Sequence, residues 1–339
     1  MLHSGLTLDE PRAAIDSRRP GEGSLWAVVL ADGDGHRLAP LTRRLYGDDR
    51  PEQYAALIGS RSLLRQTLDR IGVLIPPERT VVVTMASHAR YLDTELADFP
   101  DVQVLAQPAD RGTAAAIFLS ALWIRRLDRR ASVVVFPANH FVLDEATFIS
   151  HVADVADYVR RMPRWLVLLG ARPAGPETDY GWIEPGEQIG RLPRGAIHRV
   201  LRFREKPVPE LAHALFASGS LWNTFVFAAA VTGLIDAVRL CCPWIYDPLA
   251  HRRGTLHQAY LQTRTADFSR AVLESPALSL AVSELPDVAW RHLGSPERVA
   301  DVLRSLGTTR RVGGGDGLSA SPSSSTEDRR RASHRPMPG

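Results

Sequence analysis

The sequence predicts an α/β fold with a mostly parallel, mixed sheet that helices cover on both faces. Continuous apolar runs rich in Val and Leu recur along the chain at the length of buried strands, as at residues 25–30 and 132–136. Segments with helical spacing of apolar residues alternate with these runs, as at residues 113–127. Unbroken apolar runs are typical of strands buried on both faces, and their alternation with helices is typical of a parallel sheet.

The elements can be assigned in order along the chain. Ser62 stands where a helix N-cap is expected. The first half is predicted to hold strands at residues 25–30, 79–85, 102–106, 132–136 and 165–170, and helices at residues 62–71, 91–99, 113–127 and 148–160. The more irregular second half is predicted to hold strands at residues 180–183, 196–203 and 224–228, and helices at residues 231–240 and 296–306. Because ligands of parallel sheets bind beyond the carboxyl ends of the strands, the loops after Leu30, Ala106 and Phe136 should converge on one site.

Composition limits the classes of protein to consider. The chain has 339 residues, of which 45% are hydrophobic, enough for a large core. We expect a loose arm at residues 1–23, a domain at residues 24–308 and a disordered basic Gly/Ser/Pro/Arg tail at residues 309–339. The tail carries six arginines and three acids, an excess equal to the net charge of +3 for the whole chain. Since no aromatic residues are interleaved with these arginines, nucleic-acid binding is not expected.

The expected compartment is a reducing cytoplasm. No apolar run reaches the length of a membrane span, and no signal-peptide core is apparent at the N-terminus, so we expect no membrane association. The adjacent residues Cys241 and Cys242 fit neither a disulfide framework nor a metal knuckle.

A glycine loop follows the first predicted strand. Gly33 and Gly35 would allow backbone N–H groups to approach phosphate oxygens, and Arg37 adds a forked donor. An ordinary turn also uses glycine, so these two residues are weak evidence by themselves. The loop is not a Walker loop, because Gly-Lys-Ser/Thr does not follow, and it lacks the third glycine of a dinucleotide-binding oxidoreductase.

Lysine usage singles out one position. Of the 41 Lys and Arg residues, only Lys206 is a lysine. A Glu205–Lys206 pair would ordinarily be a surface ion pair. A lone lysine can arise by chance, and it can also mark a place where a compact ammonium on a flexible stem is needed; both interpretations are open from composition alone.

Several ordered motifs resemble those of the sugar-phosphate nucleotidyltransferases, in particular the mannose-1-phosphate guanylyltransferases. The resemblance spans about residues 25–306. The motifs are LADGDGHRL (30–38), QPADRGTAAAI (107–117), PANH (137–140), ETDYGWI (177–183), FREKP (203–207), LWNT (221–224) and WRHLG (290–294).

This resemblance implies a Rossmann-like fold, with the nucleotide over residues 24–165 and the sugar over residues 166–308. The implied reaction joins a nucleoside triphosphate, GTP in this branch, and a hexose 1-phosphate, mannose 1-phosphate in this branch, to a nucleotide sugar and pyrophosphate. A homo-oligomer, with an interface after Pro296, is left open.

The resemblance also implies a role for each retained position. The implied nucleotide-binding residues are Leu30, Ala31, Gly33, Gly35, Arg37, Gln107, Gly112 and Thr113, with Arg37 as the catalytic cation. The implied sugar-phosphate-binding residues are Gly181, Glu205, Lys206 and Asn223. Two of these assignments have structural alternatives, since Gly112–Thr113 can simply begin a helix and Gly181 can mark a strand irregularity.

Three departures from the family pattern fall on the chemistry. Glu52 stands where the family usually has the lysine of a Pro-Lys-Gln segment, and a carboxylate facing a polyanion repels it. Asn139 and His292 stand where the family usually has the two aspartates of its metal site. Because Mg²⁺ prefers anionic oxygen ligands, no metal ligand is secure here; Mg²⁺ is expected only from the resemblance, with Mn²⁺ as the other candidate.

Two interpretations of these departures remain open. In the first, the protein is an active enzyme in which Arg43, Arg44 or Arg50 supplies the missing cation, and Asp144, Asp110 or the substrate phosphates themselves hold the metal. In the second, catalysis is weak or lost and the fold serves as a nucleotide-sugar-binding regulatory subunit.

Overall fold

The computed structural model describes residues 23–252 and 254–312. Its strands are β1 (Leu25–Ala31), β2 (Thr80–Met85), β3 (Gln103–Gln107), β4 (Ser132–Pro137), β5 (His140–Phe141), β6 (Leu166–Ala171), β7 (Gly181–Leu192), β8 (Gly195–Glu205), β9 (Leu221–Ala230), β10 (Leu280–Glu284) and β11 (Arg291–His292). Its α-helices are α1 (Ala39–Tyr46), α2 (Leu63–Gly72), α3 (Ala89–Glu95), α4 (Gly112–Leu127), α5 (Glu145–Arg161), α6 (Pro209–Ala217), α7 (Val231–Cys241), α8 (Pro243–Ala250), α9 (Leu256–Gln262) and α10 (Pro296–Val312).

A nine-stranded mixed sheet forms the centre of the fold, in the order β3-β2-β1-β4-β9-β6-β10-β8-β7. The strands β3, β2, β1 and β4 pair in parallel. In the other half, β6 and β10 are parallel, whereas the pairings of β9, β8 and β7 are antiparallel. The predicted α/β class is confirmed, and the second half is more antiparallel than the first.

Helices cover both faces of this sheet, as predicted. Val28 of β1 belongs to a buried cluster with residues of α4, α7 and α9, whereas the next residue, Val29, packs with residues of α2 and α5 on the opposite face. This alternation follows from the two-residue period of a strand. Both side chains are at most 1% exposed, which explains the unbroken apolar pattern of β1.

The predicted elements agree closely with the structure in the first half. Ser62 is the N-cap of α2, and its hydroxyl accepts a hydrogen bond from the backbone N–H of Arg65. The helix predicted at residues 91–99 is shorter, because α3 ends at Glu95 and turns follow before Pro100. Strand β10 was not predicted, and its pairing partners lie far away in sequence on β6 and β8.

The ends of the predicted domain are only partly covered by the structure. Helix α10 continues to Val312, past the predicted boundary at residue 308. The remaining residues of the predicted arm and tail lie outside the described residues. Within the described part of the chain, no helix has both the length and the apolar character needed to cross a bilayer. Cys241 and Cys242 are free thiols.

Candidate active site

A cleft of about 270 Å³ opens where β1 and β4 end and β9 begins. The loops after β1 and β4 line it, so the predicted convergence is confirmed for these two loops. The end of β3 meets the wall from behind, through the bond of Gln107 to Asp32. The predicted site residues that line the cleft are Leu30, Gly33, Arg37, Thr113, Gly181, Glu205, Lys206 and Asn223. Ala31, Gly35, Gln107 and Gly112 lie close to this wall without lining it. The role of each residue toward a ligand stays a prediction.

Tight contacts with residues 51–54 fix the glycine loop. Gly35 has φ +68°, and a Cβ there would lie 2.5 Å from Glu52 Oε2, so only glycine fits. Gln53 Nε2 donates to the backbone oxygens of Ala31 (2.9 Å) and Gly33 (2.8 Å). Tyr54 donates its hydroxyl proton to the Ala31 oxygen at 3.0 Å. The loop is therefore held in place before any ligand binds.

Arg37 connects the two halves of the cleft. Its Nη1 donates to Asp179 Oδ2 at 3.3 Å, across the boundary between the halves. Both side chains are more than half exposed. An exposed ion pair of this kind contributes roughly 0–1 kcal/mol, so an anionic ligand can replace Asp179 as the partner of Arg37.

Gln107 is buried, with both ends of its amide occupied. Its Nε2 donates to Asp32 Oδ2 at 2.7 Å, and its Oε1 accepts from the Tyr260 hydroxyl. Gln107 is 1% exposed, whereas Asp32 lines the cleft. The amide keeps a second N–H and a second lone pair, but it is enclosed behind Asp32, so the direct contact with a nucleobase that the resemblance implies requires a movement of the cleft wall.

Gly112 and Thr113 anchor a distant segment beside the cleft. Gly112 has φ +75°, and a Cβ there would lie 2.4 Å from the Ala266 carbonyl oxygen. Thr113 Oγ1 accepts from the backbone N–H of Phe268 at 2.8 Å. Helix α4 begins at Gly112, which agrees with the alternative that Gly112–Thr113 simply begins a helix. The pair therefore also positions residues 266–268, which include the cleft residue Asp267.

We expect Gly112→Ala to lower the free energy of unfolding. The left-handed backbone alone costs a non-glycine residue about 1–2 kcal/mol, and the Ala266 carbonyl must also move. Denaturant unfolding measures the loss. Gly233→Ala in α7 is the matched control, because its Cβ would meet only the Pro163 oxygen, at 3.6 Å; it should gain about 0.4–1 kcal/mol. Equal stabilities of the two variants would contradict this interpretation.

A local distortion of β9 directs three residues into the opposite end of the cleft. The register with β6 shifts between Leu168 and Gly170. Phe225 adopts φ +59°, and its N–H donates to Asn223 Oδ1 at 3.0 Å. Asn223, Thr224 and Phe225 all line the cleft. A strand bulge that re-aims side chains is common beside active sites.

Gly181 and Glu205 pack against each other at this end. A Cβ on Gly181 would lie 2.7 Å from Glu205 Oε2, so the glycine leaves room for the carboxylate. Burial raises the pKa of Glu205 to about 7, and the charge of Asp267 acts in the same direction. The charge of Lys206 opposes this shift in the pKa. A carboxyl group with this pKa can accept hydrogen bonds from sugar hydroxyls when ionised.

Lys206 has a strained backbone in the cleft wall. Its φ is +48°, which is unfavourable for a side chain of this kind, and its N–H donates to the Tyr180 oxygen at 3.2 Å. The ammonium is 3.9 Å from Glu205 Oε1, and the side chain is 54% exposed. Strained non-glycine residues concentrate at functional sites. Lys206, the only lysine of the chain, thus lines the cleft with a backbone conformation that is unfavourable for a non-glycine residue.

We expect Glu205→Gln to stabilise the protein at alkaline pH. Because the carboxyl pKa is raised on folding from 4.5 to about 7, its stabilising contribution is present below pH 4.5 and is lost as the pH rises through 7. Glutamine does not ionise, so the variant should keep the free energy of unfolding that the wild-type protein loses, about 3 kcal/mol above pH 7. Urea unfolding at pH 5 and pH 8.5 measures it. The exposed Glu210→Gln is the control; a gain for Glu205→Gln that does not grow with pH would contradict the assignment.

Comparison with known proteins identifies the family. The model of the nucleotidyl transferase family matches residues 26–306, which is most of the chain. The chain belongs to this family. It is 29% identical over 289 residues to the mannose-1-phosphate guanylyltransferase of Escherichia coli K12, and 31% identical over 300 residues to the xanthan biosynthesis protein XanB of Xanthomonas campestris pv. campestris B100.

The matches cover more of this chain than of these relatives. They include 81% and 83% of this chain, but only 59% and 60% of the E. coli and Xanthomonas proteins. A solved structure named as a mannose-1-phosphate geranyltransferase from Thermus thermophilus has a TM-score of 0.69 at 29% identity, covering 80% of this chain and 76% of that one. This likeness supports the nucleotidyl transferase fold of the sheet and cleft.

The three departures of this nucleotidyl transferase form one contacting cluster. Asn139 Nδ2 donates to Glu52 Oε1 at 3.2 Å and lies 3.2 Å from His292 Nε2. All three residues line the cleft. Burial raises the pKa of the Glu52 carboxyl, and the hydrogen bond from Asn139 opposes this shift. The three side chains therefore form one connected group, in which the Asn139 amide lies between the Glu52 carboxyl group and the His292 imidazole.

His292 is a neutral member of this cluster. Burial lowers the pKa of its imidazole to about 3, and the charges of Arg298, Arg37 and Lys206 act in the same direction. Arg298 Nη1 lies 3.4 Å from His292 Nδ1, and its guanidinium is 4.5 Å from the centre of the Tyr180 ring. The imidazole thus carries no charge at neutral pH and cannot replace the missing cation.

The donor set of the cluster does not fit Mg²⁺. This ion prefers octahedral oxygen ligands, and one or two carboxylates commonly hold it. Here the Asn139 amide nitrogen, a donor, faces both neighbours, and Glu52 Oε2 is buried without a hydrogen-bond partner. Among the described residues, no group of three or more His, Cys, Asp or Glu side chains is suited to a metal. Mg²⁺ and Mn²⁺ stay predictions from the resemblance.

The substitutes proposed from the sequence lie elsewhere. Arg43 pairs with Asp49, and Arg50 pairs with Asp48 and stacks on Tyr46 at 4.0 Å; neither arginine lines the cleft. Arg44 is also absent from its described wall. Asp144 is the N-cap of α5, and Asp110 accepts from the Gly112 N–H. None of the five side chains lines the described cleft, and local pairs or helix ends engage four of them, so the structure does not support these interpretations.

Several cleft residues were not predicted from the sequence. Asp179 and Tyr180 lie in the motif at residues 177–183, but neither was assigned a role. Asp267 and Ser269 come from a loop and a π-helical turn at Ser269–Leu273. No periodicity marks this segment, and it reaches the cleft through tertiary contacts of residues 266–268 with the start of α4.

Proposed function

We propose that this protein joins GTP and mannose 1-phosphate to GDP-mannose and pyrophosphate. The observation that carries the proposal is the placement of Arg37 and Lys206 in one cleft, at the two sides of the boundary between its halves. Hexose hydroxyls would bond to Glu205 and Asn223. The names of the E. coli and Thermus proteins support mannose 1-phosphate as the sugar, and the E. coli name supports the guanine nucleotide. The free thiols of Cys241 and Cys242 favour a reducing cytoplasm as the compartment.

The proposed chemistry is an in-line displacement at phosphorus. A phosphate oxygen of the sugar 1-phosphate forms a bond to the α-phosphorus of GTP, and the bond from that phosphorus to the pyrophosphate group breaks. Arg37 would bind the triphosphate, and Lys206 would neutralise the attacking sugar phosphate. Such catalysis depends mainly on position and charge, which rigid elements such as β8 and the bonded glycine loop can supply.

A second candidate function rests on the Glu52–Asn139–His292 cluster. Its buried carboxyl group stands where the family usually places a cation, so the same cleft could bind a nucleotide sugar with little or no turnover. In this alternative, the protein is a regulatory subunit that binds GDP-mannose.

Pyrophosphate release from GTP and mannose 1-phosphate tests the proposed function. It is measured first with Mg²⁺ and then with Mn²⁺, with glucose 1-phosphate and ATP as competing substrates. Turnover of about 1–10³ s⁻¹ is ordinary for an enzyme and would exclude the regulatory alternative. Calorimetry with GTP, GDP-mannose and mannose 1-phosphate is run in parallel. Absence of heat with all three would contradict both functions.

A further inference from the structure

Asp32 is a cleft carboxyl group that the proposed chemistry does not use. It directly follows the last residue of β1, in the wall of the cleft. Burial raises the pKa of Asp32, and the nearby acids Asp110 and Asp34 raise it further. Within the described residues, we find no ion pair to Asp32. A carboxyl group with acidic neighbours would repel the phosphates of a nucleotide, so the matching ligand group is one that brings N–H donors.

A chain of hydrogen bonds fixes the position of this carboxyl group. The Tyr260 hydroxyl donates to Gln107 Oε1, and Gln107 Nε2 donates to Asp32 Oδ2 at 2.7 Å. Tyr260 and Gln107 are both almost fully buried, so neither is free to move toward solvent. Since a carboxylate offers about four acceptor positions and Gln107 occupies one, Asp32 retains capacity for a ligand. Gln107, which the resemblance assigns to the nucleobase, does not line the cleft, whereas Asp32 does.

The edge of the bound base decides which nucleotide fits such an acceptor. Guanine presents two adjacent donors, N1–H and the N2 amino group, which match the two oxygens of a carboxylate. Adenine presents the N6 amino group beside the N1 acceptor, so one of its atoms would face the carboxylate with a lone pair. Because a buried acceptor that loses its hydrogen-bond partner costs free energy, the carboxylate would weaken the binding of adenine nucleotides.

We propose that Asp32 reads the guanine edge and sets the preference of the cleft for guanine over adenine nucleotides. This inference rests on the proposed function and deepens it by naming the residue that selects the base. It also gives a role to Asp32, an acid at a position where the resemblance would place glycine, beside a predicted phosphate-binding loop whose ligand its charge would otherwise oppose.

Calorimetric titration with GTP, ITP and ATP tests the inference without turnover. The wild-type protein should bind GTP about 10- to 100-fold more tightly than ATP. It should bind ITP, which lacks the N2 amino group, with intermediate affinity. In Asp32→Asn, which offers only one acceptor oxygen, the preference for GTP over ATP should fall by at least about tenfold. Circular dichroism confirms that the variant is folded, and the ITP comparison needs no variant.

Asp34→Asn is the matched control. Asp34 lies in the same loop but does not line the cleft. Its Oδ2 is 3.6 Å from His36 Nε2, and its Oδ1 is 3.5 Å from His88 Nε2. Both variants lose one negative charge, so a general effect on phosphate binding largely cancels in the ratio of GTP to ATP affinity. This ratio should remain at the wild-type value in Asp34→Asn.

The outcomes separate this inference from the proposed function. A wild-type protein that binds GTP, ITP and ATP equally, or an Asp32→Asn variant that keeps the full preference, overturns the role of Asp32 and leaves the transferase proposal intact. A wild-type protein that binds mannose 1-phosphate and no nucleotide overturns the proposed function, and this inference with it.

Discussion

Replacement of Lys206 by glycine or alanine is expected to lower kcat/KM for nucleotide-sugar formation by about 10²–10³-fold, the usual effect of removing one charge-stabilising group from an active site. Among the described residues that line the cleft, Lys206 and Arg37 are the cations, because burial keeps the histidines there neutral. Loss of the ammonium would leave the attacking sugar phosphate facing Glu205 without its positive neighbour. Steady-state kinetics with varied mannose 1-phosphate measures the effect.

The two substitutions separate charge from backbone strain. Because Lys206 has φ +48°, glycine relieves a left-handed conformation that alanine retains, at a cost of about 1 kcal/mol or more. Lys206→Gly should therefore be more stable than Lys206→Ala, with an equal loss of activity. Arg204→Ala removes an exposed cation from β8, the strand that Lys206 directly follows, outside the cleft, and should keep wild-type kinetics. Activity of Lys206→Gly within a few-fold of wild type would contradict a functional role.

The double variant Glu52→Lys with Asn139→Asp is expected to bind GTP at least about tenfold more tightly than wild type, and to release pyrophosphate faster. Two unit charges 4 Å apart interact by about 4 kcal/mol near a protein surface, so exchange of a carboxylate for an ammonium beside a triphosphate has a large effect. The introduced lysine would donate to the introduced aspartate, where the Asn139 amide now donates to Glu52. Calorimetry and the pyrophosphate assay measure the two gains.

The single variants show whether the cluster acts as a unit. Glu52→Lys alone would place an ammonium against the Asn139 amide donor, and the variant should be less stable than the double variant. Glu210→Gln on α6 changes the net charge by the same +1 as the double variant, outside the cleft, and should leave GTP affinity unchanged. If wild type is silent and the double variant gains turnover, the regulatory alternative is favoured. If the double variant loses GTP affinity, the electrostatic interpretation of Glu52 is wrong.

Local patterns were sufficient to predict most of the sheet. The runs at β1, β2 and β4 are apolar because their residues are buried on both faces, and this is visible from composition alone. The short strand β10 was missed, because its stability comes from ladder partners on β6 and β8 rather than from its own residues. The glycine loop was located because Gly35 needs a backbone conformation that other residues disfavour.

The sequence alone established the fold class, the position of the glycine loop, the order of the motifs and the fact that Lys206 is the only lysine. Only the tertiary structure decided that Asn139 touches both Glu52 and His292, which lie 87 and 153 residues away from it in the chain. It also decided that Gln107 is enclosed behind Asp32, and that residues 267 and 269 reach the cleft. The physical reason is that the spacing of apolar residues shows which residues of a single strand or helix are buried. Contacts between loop ends depend on how the whole sheet is packed, which no local period records.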